Sequence, residues 1–180
     1  TILLFVLCAC TKNEYITYGV KNGLVFKKGE DLITADSLVY SFVSEAVSGD
    51  KDTVWIPIAL TGVPQSETKK FALVIDAKST AEENMHFKLT ETVFPAGKTE
   101  MLYPIVMLRA KDLEKESRSF KLVIKENESF DVGAASSETY RAINIRVLDQ
   151  VIKPSWWRFT EDGNYGTYSH TKYRFMIDVI

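Results

Sequence analysis

Thr53-Val54-Trp55-Ile56-Pro57-Ile58-Ala59-Leu60 decides the fold. Val54, Ile56, Ile58 and Leu60 alternate with Thr53, Trp55, Pro57 and Ala59. Side chains of a β-strand point alternately to opposite faces, so the aliphatic set lines a core and Trp55 faces outward. Pro57 has no N–H for a ladder bond, which places this strand, or its proline-bearing side, at an edge or a bulge. The same period recurs on both sides. Leu38, Tyr40 and Phe42 share a face in 37–43, as do Phe71, Leu73 and Ile75 in 71–76. Phe87 and Leu89 pair in 86–90, and 101–109 is apolar on both faces. Phe120, Leu122 and Ile124 point inward in 118–125, and Ile143, Ile145 and Val147 in 140–148. Pro95-Ala96-Gly97-Lys98 is a turn. Seven or so strands rich in β-branched and aromatic residues, with no alternation of strand and helix, predict an all-β fold: an antiparallel β-sandwich.

The chain has 180 residues, of which 46% are hydrophobic and 26% charged, ordinary values for one folded domain or a tight pair. Lys and Arg number 22 against 24 Asp and Glu, a formal charge of -2. No basic surplus is available to neutralise phosphates, which argues against nucleic acid as a partner. Neither G-x-G-x-x-G, G-x-x-x-x-G-K nor G-x-S-x-G occurs.

The first ten residues, Thr1-Ile2-Leu3-Leu4-Phe5-Val6-Leu7-Cys8-Ala9-Cys10, form an apolar run that stops at Thr11-Lys12-Asn13-Glu14. An apolar stretch closed by a small residue is the pattern of an export signal. Leu7-Cys8-Ala9-Cys10 resembles a bacterial lipobox. That resemblance implies cleavage before Cys10 and attachment of lipid to its thiol. Multiple acyl chains, at about 0.8 kcal/mol per buried CH₂, make a lasting membrane anchor. Cys8 then leaves with the signal, and no disulfide or thiolate metal site remains. Residues 1–9 are thus read as an incomplete signal peptide and 10–30 as a lipidated tether. Within the tether Tyr15, Tyr18, Leu24 and Phe26 suggest that part of it packs onto the domain.

Beyond residue 150 the composition changes. Lys153-Pro154-Ser155-Trp156-Trp157 leads into a stretch rich in Gly and Tyr. Ser169 is placed to cap a helix with apolar positions Tyr173, Met176, Ile177 and Ile180 at i, i+3, i+4 and i+7. The apolar run lacks a preceding Met and basic residues, and this helix lacks a C-cap, so more chain is expected at both ends.

The lipobox, the strand segments 53–62 and 71–76, and a tail reading K-P-S-W-W and then G-x-Y-S-x-x-K-Y-x-x-F from Gly166 together resemble the Bacteroidota lipoproteins grouped as domain of unknown function 4843. The resemblance spans nearly the whole chain. It implies an outer-membrane lipoprotein with an immunoglobulin-like sandwich and a helical tail, and it supplies no catalytic residues. Ala81-Glu82-Glu83-Asn84-Met85-His86-Phe87 and Val93-Phe94-Pro95-Ala96-Gly97 bear a weaker resemblance to Calx-beta sandwiches. Asn84 stands where that pattern has Gly, and His86 where it has Asp, which weakens any calcium reading.

The chemistry-bearing residues favour plain readings. His86 and His170 lack a partner at metal-ligand spacing and read as surface or boundary histidines. Asp112, Glu114 and Glu116 form an acidic run, but Lys111, Lys115 and Arg118 lie among them, so the run reads as a solvated loop. Trp55, Trp156 and Trp157 are the candidate glycan contacts, since an indole face can lie on a pyranose. Trp156 and Trp157 are read mainly as packing between sandwich and tail. The expectation is an immunoglobulin-like sandwich over 31–150 with an aromatic linker and C-terminal helix over 151–180. It needs no metal or cofactor and is anchored in the outer membrane through Cys10. Its expected role is a non-enzymatic interaction or accessory module with an envelope protein or polysaccharide as partner. The alternatives are a surface glycan-binding protein and a hydrolase using paired carboxylates.

Overall fold

The computed structural model describes residues 21–28, 37–45, 47–131, 138–154, 157 and 166–179. Its strands, in chain order, are β1 (Gly23–Phe26), β2 (Ser37–Ser41), β3 (Lys51–Thr61), β4 (Lys69–Lys70), β5 (Ala72–Ile75), β6 (Phe87–Leu89), β7 (Val93–Phe94), β8 (Glu100–Leu108), β9 (Arg118–Lys125) and β10 (Ala142–Leu148). A 3₁₀ turn, Lys111–Glu114, joins β8 to β9. The helices are α1 (Glu138–Arg141) and α2 (His170–Val179). One sheet has the order β1-β3-β8-β6 and the other β2-β10-β9-β5, with β4 and β7 as a short separate pair.

The inward residues are those picked out by period two. Ile56, Ile58, Tyr103, Ile105 and Met107 from the first sheet meet Phe120, Leu122, Ile143, Ile145 and Val147 from the second, all buried in one cluster. Phe87 and Phe120 stack across the interface with centroids 3.8 Å apart. Such ring pairs contribute about 0.5–1.5 kcal/mol beyond their buried area.

Three details differ from the expectation. β2 runs parallel to β10, with Ser37 opposite Asn144 and Ser41 opposite Leu148, while every other ladder is antiparallel. Nearly the whole domain lies between these two strands in sequence, so the long crossover that a parallel pair needs is available. Within the stretch read as tether, Gly23–Phe26 pairs with β3, and Leu24 and Phe26 are buried in the sandwich. The sandwich therefore begins before residue 31. Residues 138–141, whose end was read as the start of the last strand, are helical.

Two prolines set where ladders stop. The Pro57 carbonyl accepts the Lys27 N–H at 2.9 Å. Its missing donor therefore faces the last rung of β1, and β1 pairs only with Ile58–Thr61 of the longer β3. Pro104 does the same for β6. Its carbonyl accepts the Thr90 hydroxyl at 2.9 Å, just past the end of that strand. Asn84, in the position where the Calx-beta pattern has Gly, has φ 66°. Asn is among the few residues that adopt left-handed backbone readily, which explains why it can stand in for Gly there.

Candidate binding face

The outer faces of the two sheets differ in chemistry. Strand register sets the rows of the second sheet: Ser37, Asn144 and Lys121 lie side by side, as do Val39, Arg146 and Ser119. Among the described residues this outer face is mixed: polar and charged side chains dominate these rows, with Val39 and Val74 exposed between them. Across the first sheet, Trp55 lies opposite Pro104, Pro57 opposite Leu102, and Thr53 opposite Val106. Val25 lies beside Ala59. Trp55 is 50% exposed and Leu102 54%. Lys88, next to Val106, and the Lys27–Glu100 ion pair, at 3.0 Å, stand at the margins. Among the described residues the centre of this face is aromatic, aliphatic and proline, with Thr53 beside it and no charged side chain.

Beside Trp55 a cleft of about 240 Å³ opens along the side of the sandwich, where β2 of one sheet meets β3 of the other. Leu38, Val54 and Ile56 supply its apolar lining; Glu45, Asp52 and Thr53 supply polar atoms. The Tyr40 hydroxyl donates to Asp52 Oδ2 at 2.6 Å, and the Thr53 N–H donates to Asp52 Oδ1 at 2.7 Å. Burial first, and then the Asp52 carboxylate, push the Tyr40 phenol far above its ordinary range, so it stays a neutral donor.

Other polar clusters are closed on themselves. His86 is 1% exposed, not the surface or boundary residue expected. Its Nδ1 accepts the Glu82 N–H at 2.8 Å, so Nε2 carries the ring proton and donates to Asp112 at 3.1 Å. With both nitrogens satisfied the ring is tolerated in the interior. The acidic run is likewise more than a solvated loop. Leu113 is buried, and Asp112 accepts from Arg118 Nε at 2.8 Å, while Glu116 binds another nitrogen of Arg118. The Arg118 guanidinium, and after it His86, hold the Asp112 carboxyl below the usual carboxylate range. Twenty-six residues separate His86 from Asp112, and no local spacing announces the pair. Among the described residues no three His, Cys, Asp or Glu side chains converge as a metal site. Arg118 already engages Asp112 and Glu116, two of the three carboxylates of the run, and would compete with a hard cation for them. Calorimetric titration with Ca²⁺ is therefore expected to show no saturable binding in the micromolar range; a stoichiometric isotherm would overturn this reading.

A larger cleft, about 610 Å³, lies between the 3₁₀ turn, the end of β10 and α2. Its walls carry the exposed side chains of Glu114, Lys115, His170 and Arg174, and its buried acid, Asp149, is engaged by Arg109 at 2.7 Å. Gln150 and the exposed Phe175 also line it, and the Gln150 amide donates to the Leu113 carbonyl at 3.4 Å. Trp157 is 0% exposed and sits edge-on to Tyr168 and Tyr173, so its ring is not available to a ligand. Cys10, Tyr15, Tyr18 and Trp156 lie outside the described residues. Of the three tryptophans singled out in the sequence, Trp55 alone is shown on a surface. Leu102, Pro104, Tyr40, Glu45 and Asp52 were not picked out as site residues.

Residues 12–180 match the family model described as Domain of unknown function (DUF4843). The chain belongs to this family. Several solved structures are similar to this DUF4843 chain. The apo form of the Calx CBD1 domain is 12% identical, with 73% of this chain and 99% of that chain covered and a TM-score of 0.46. CBD12 from CALX1.2 is 13% identical over 71% of this chain, with a TM-score of 0.46. A protein of unknown function from Bacteroides ovatus is 12% identical over 72% of this chain, with a TM-score of 0.45. The DUF4843 chain spans 44% of the length of each of the latter two. No curated protein matches the sequence.

Proposed function

We propose that this DUF4843 chain is a non-enzymatic binding module of the cell envelope, anchored in the outer membrane through lipid on Cys10 and working through the outer face of β3 and β8. The difference between the two outer faces carries the reading. Contiguous exposed apolar surface is costly on a monomer and marks an interaction site. Here the largest exposed apolar side chains of the two outer faces, Trp55 and Leu102, stand on one sheet, while the opposite face sets Lys121, Asn144 and Arg146 beside the smaller Val39 and Val74. The anchor rests on the Leu7–Cys10 box. A non-enzymatic role is supported by two separate pairings, of Asp112 with His86 and Arg118 and of Asp149 with Arg109, which occupy those carboxylates.

Binding of the purified full chain to isolated outer membranes and to surface polysaccharide tests this. Leu102→Glu is expected to weaken binding by at least about tenfold, or ~1.4 kcal/mol. Arg146→Glu, on the opposite sheet, should leave it unchanged, and both variants should keep the parent unfolding midpoint. Equal binding by the two variants would refute the assignment of the face. A hydrolase would release reducing ends from polysaccharide; none are expected. For the anchor, a fatty-acid label should be present on the parent chain and absent from Cys10→Ala. Label retained on that variant would remove Cys10 as the attachment point.

A further inference from the structure

We infer that the cleft between β2 and β3 is a saccharide subsite that takes one neutral pyranose ring, packed on Trp55 with its hydroxyls donating to Asp52 and Glu45. The inference rests on the reading of the Trp55 face as a binding surface and names its ligand. Size comes first. Pockets for drug-sized ligands run from about 300 to 1,000 Å³. The 240 Å³ here falls just below that range and matches a ligand of one ring. Chemistry then selects the ring. Leu38, Val54, Ile56 and the half-exposed indole of Trp55 give apolar surface. The polar atoms are mainly acceptors. Each Asp52 oxygen already receives one hydrogen bond, from Tyr40 or from the Thr53 backbone, and keeps a further lone pair. Those two bonds fix the carboxylate before any ligand arrives, which lowers the cost of ordering it on binding. Tyr40, its phenol held protonated, adds no negative charge, but Asp52 and Glu45 together repel an anion. The complementary ligand has an apolar face, several hydroxyl donors and no negative charge. A neutral hexopyranose within a polysaccharide meets all three conditions.

Titration of the full chain with hexasaccharides of β-1,4-glucose, β-1,4-mannose and α-1,4-galacturonate, read by calorimetry, tests the inference. At least one neutral hexamer should bind, and the anionic hexamer should bind at least about tenfold more weakly. Trp55→Ala should weaken neutral binding by at least about tenfold, and Trp55→Phe should restore part of it, because a ring is needed rather than an indole N–H. Asp52→Asn, which keeps an acceptor for Tyr40, should weaken binding with an unchanged unfolding midpoint. Three results would overturn the inference: no neutral hexamer binding up to about 10 mM, tighter binding of the anionic hexamer, or binding indifferent to Trp55→Ala. If envelope binding still required Leu102 in the first case, the occupant of the face would be a protein. The saccharide subsite would then fall while the binding module stood.

Discussion

Trp157→Ala is expected to cost about 3–5 kcal/mol of folding stability, the range for truncating a large core aromatic, and Trp55→Ala about 1 kcal/mol or less, as at most surface positions. The two rings share a residue type and differ in surroundings. Trp157 is fully buried, with Tyr168 and Tyr173 edge-on at centroid distances of 5.2 and 5.6 Å. Its Nε1–H donates to the Gly166 carbonyl at 3.1 Å. Truncation empties the space between Pro154 and α2 and strips two tyrosines of their partner. Those tyrosines tie the tail down: Tyr168 reaches the Val151 carbonyl, and Tyr173 lies in the first turns of α2. Urea unfolding of the full chain would measure both costs. An unchanged midpoint for Trp157→Ala would show that the tail contributes nothing to the stability of the sandwich. A loss for Trp55→Ala as large as for Trp157→Ala would mean that Trp55 is a packing residue, and the binding face would lose its central aromatic.

How far the sequence revealed this arrangement follows from the range of each signal. Alternation is local, so 53–60 alone was enough to put Ile56 and Ile58 in the core and Trp55 outside. Ser169 was legible for the same reason: a cap bonds within its own first turn, and its hydroxyl accepts the Lys172 N–H at 3.2 Å. The apolar character of both faces of 101–109 was visible too. Its meaning required knowing that Leu102 and Pro104 lie beside Pro57 and Trp55, which is register. Register and sheet membership join residues far apart in the chain. The cleft beside Trp55 exists because β2 and β3 end up in different sheets, and nothing in either strand says so. β1 was half-legible. Leu24 and Phe26 carried the right period, but four residues give too short a pattern to separate a strand from a tether that packs. His86 looked unremarkable because its partner, Asp112, lies 26 positions away, and Asp112 because the neighbouring Arg118 suggested nothing more than solvated charge.

Breaking the Arg109–Asp149 pair is expected to cost about 3 kcal/mol, the lower part of the range for unpairing a buried ion pair, because the arginine keeps some solvent. The geometry is bidentate: Arg109 Nε donates to Asp149 Oδ2 at 2.7 Å and Nη2 to Oδ1 at 2.9 Å. Nη1 donates to the Val47 carbonyl at 3.1 Å, and the guanidinium lies 5.7 Å from the Phe42 ring centroid. Asp149 is only 6% exposed. Arg109 follows β8 in one sheet and Asp149 follows β10 in the other, so the pair clamps the two sheets at one end of the sandwich. The Asp149 carboxylate raises the Arg109 guanidinium further above its already high ordinary range, so it stays a cation near neutral pH. Arg109→Met removes the charge and keeps much of the apolar stem, leaving a carboxylate in a site built for a pair. Asp149→Leu leaves a guanidinium that can still reach the Val47 carbonyl and solvent, so it should cost less. The double variant decides between charge and packing. If the loss comes from an orphaned charge, Arg109→Met with Asp149→Leu should be more stable than the sum of the single losses by at least about 1 kcal/mol. Additive losses in urea unfolding would mean that the two side chains act independently, and the clamp between β8 and β10 would have to be sought in the apolar contacts around Phe42.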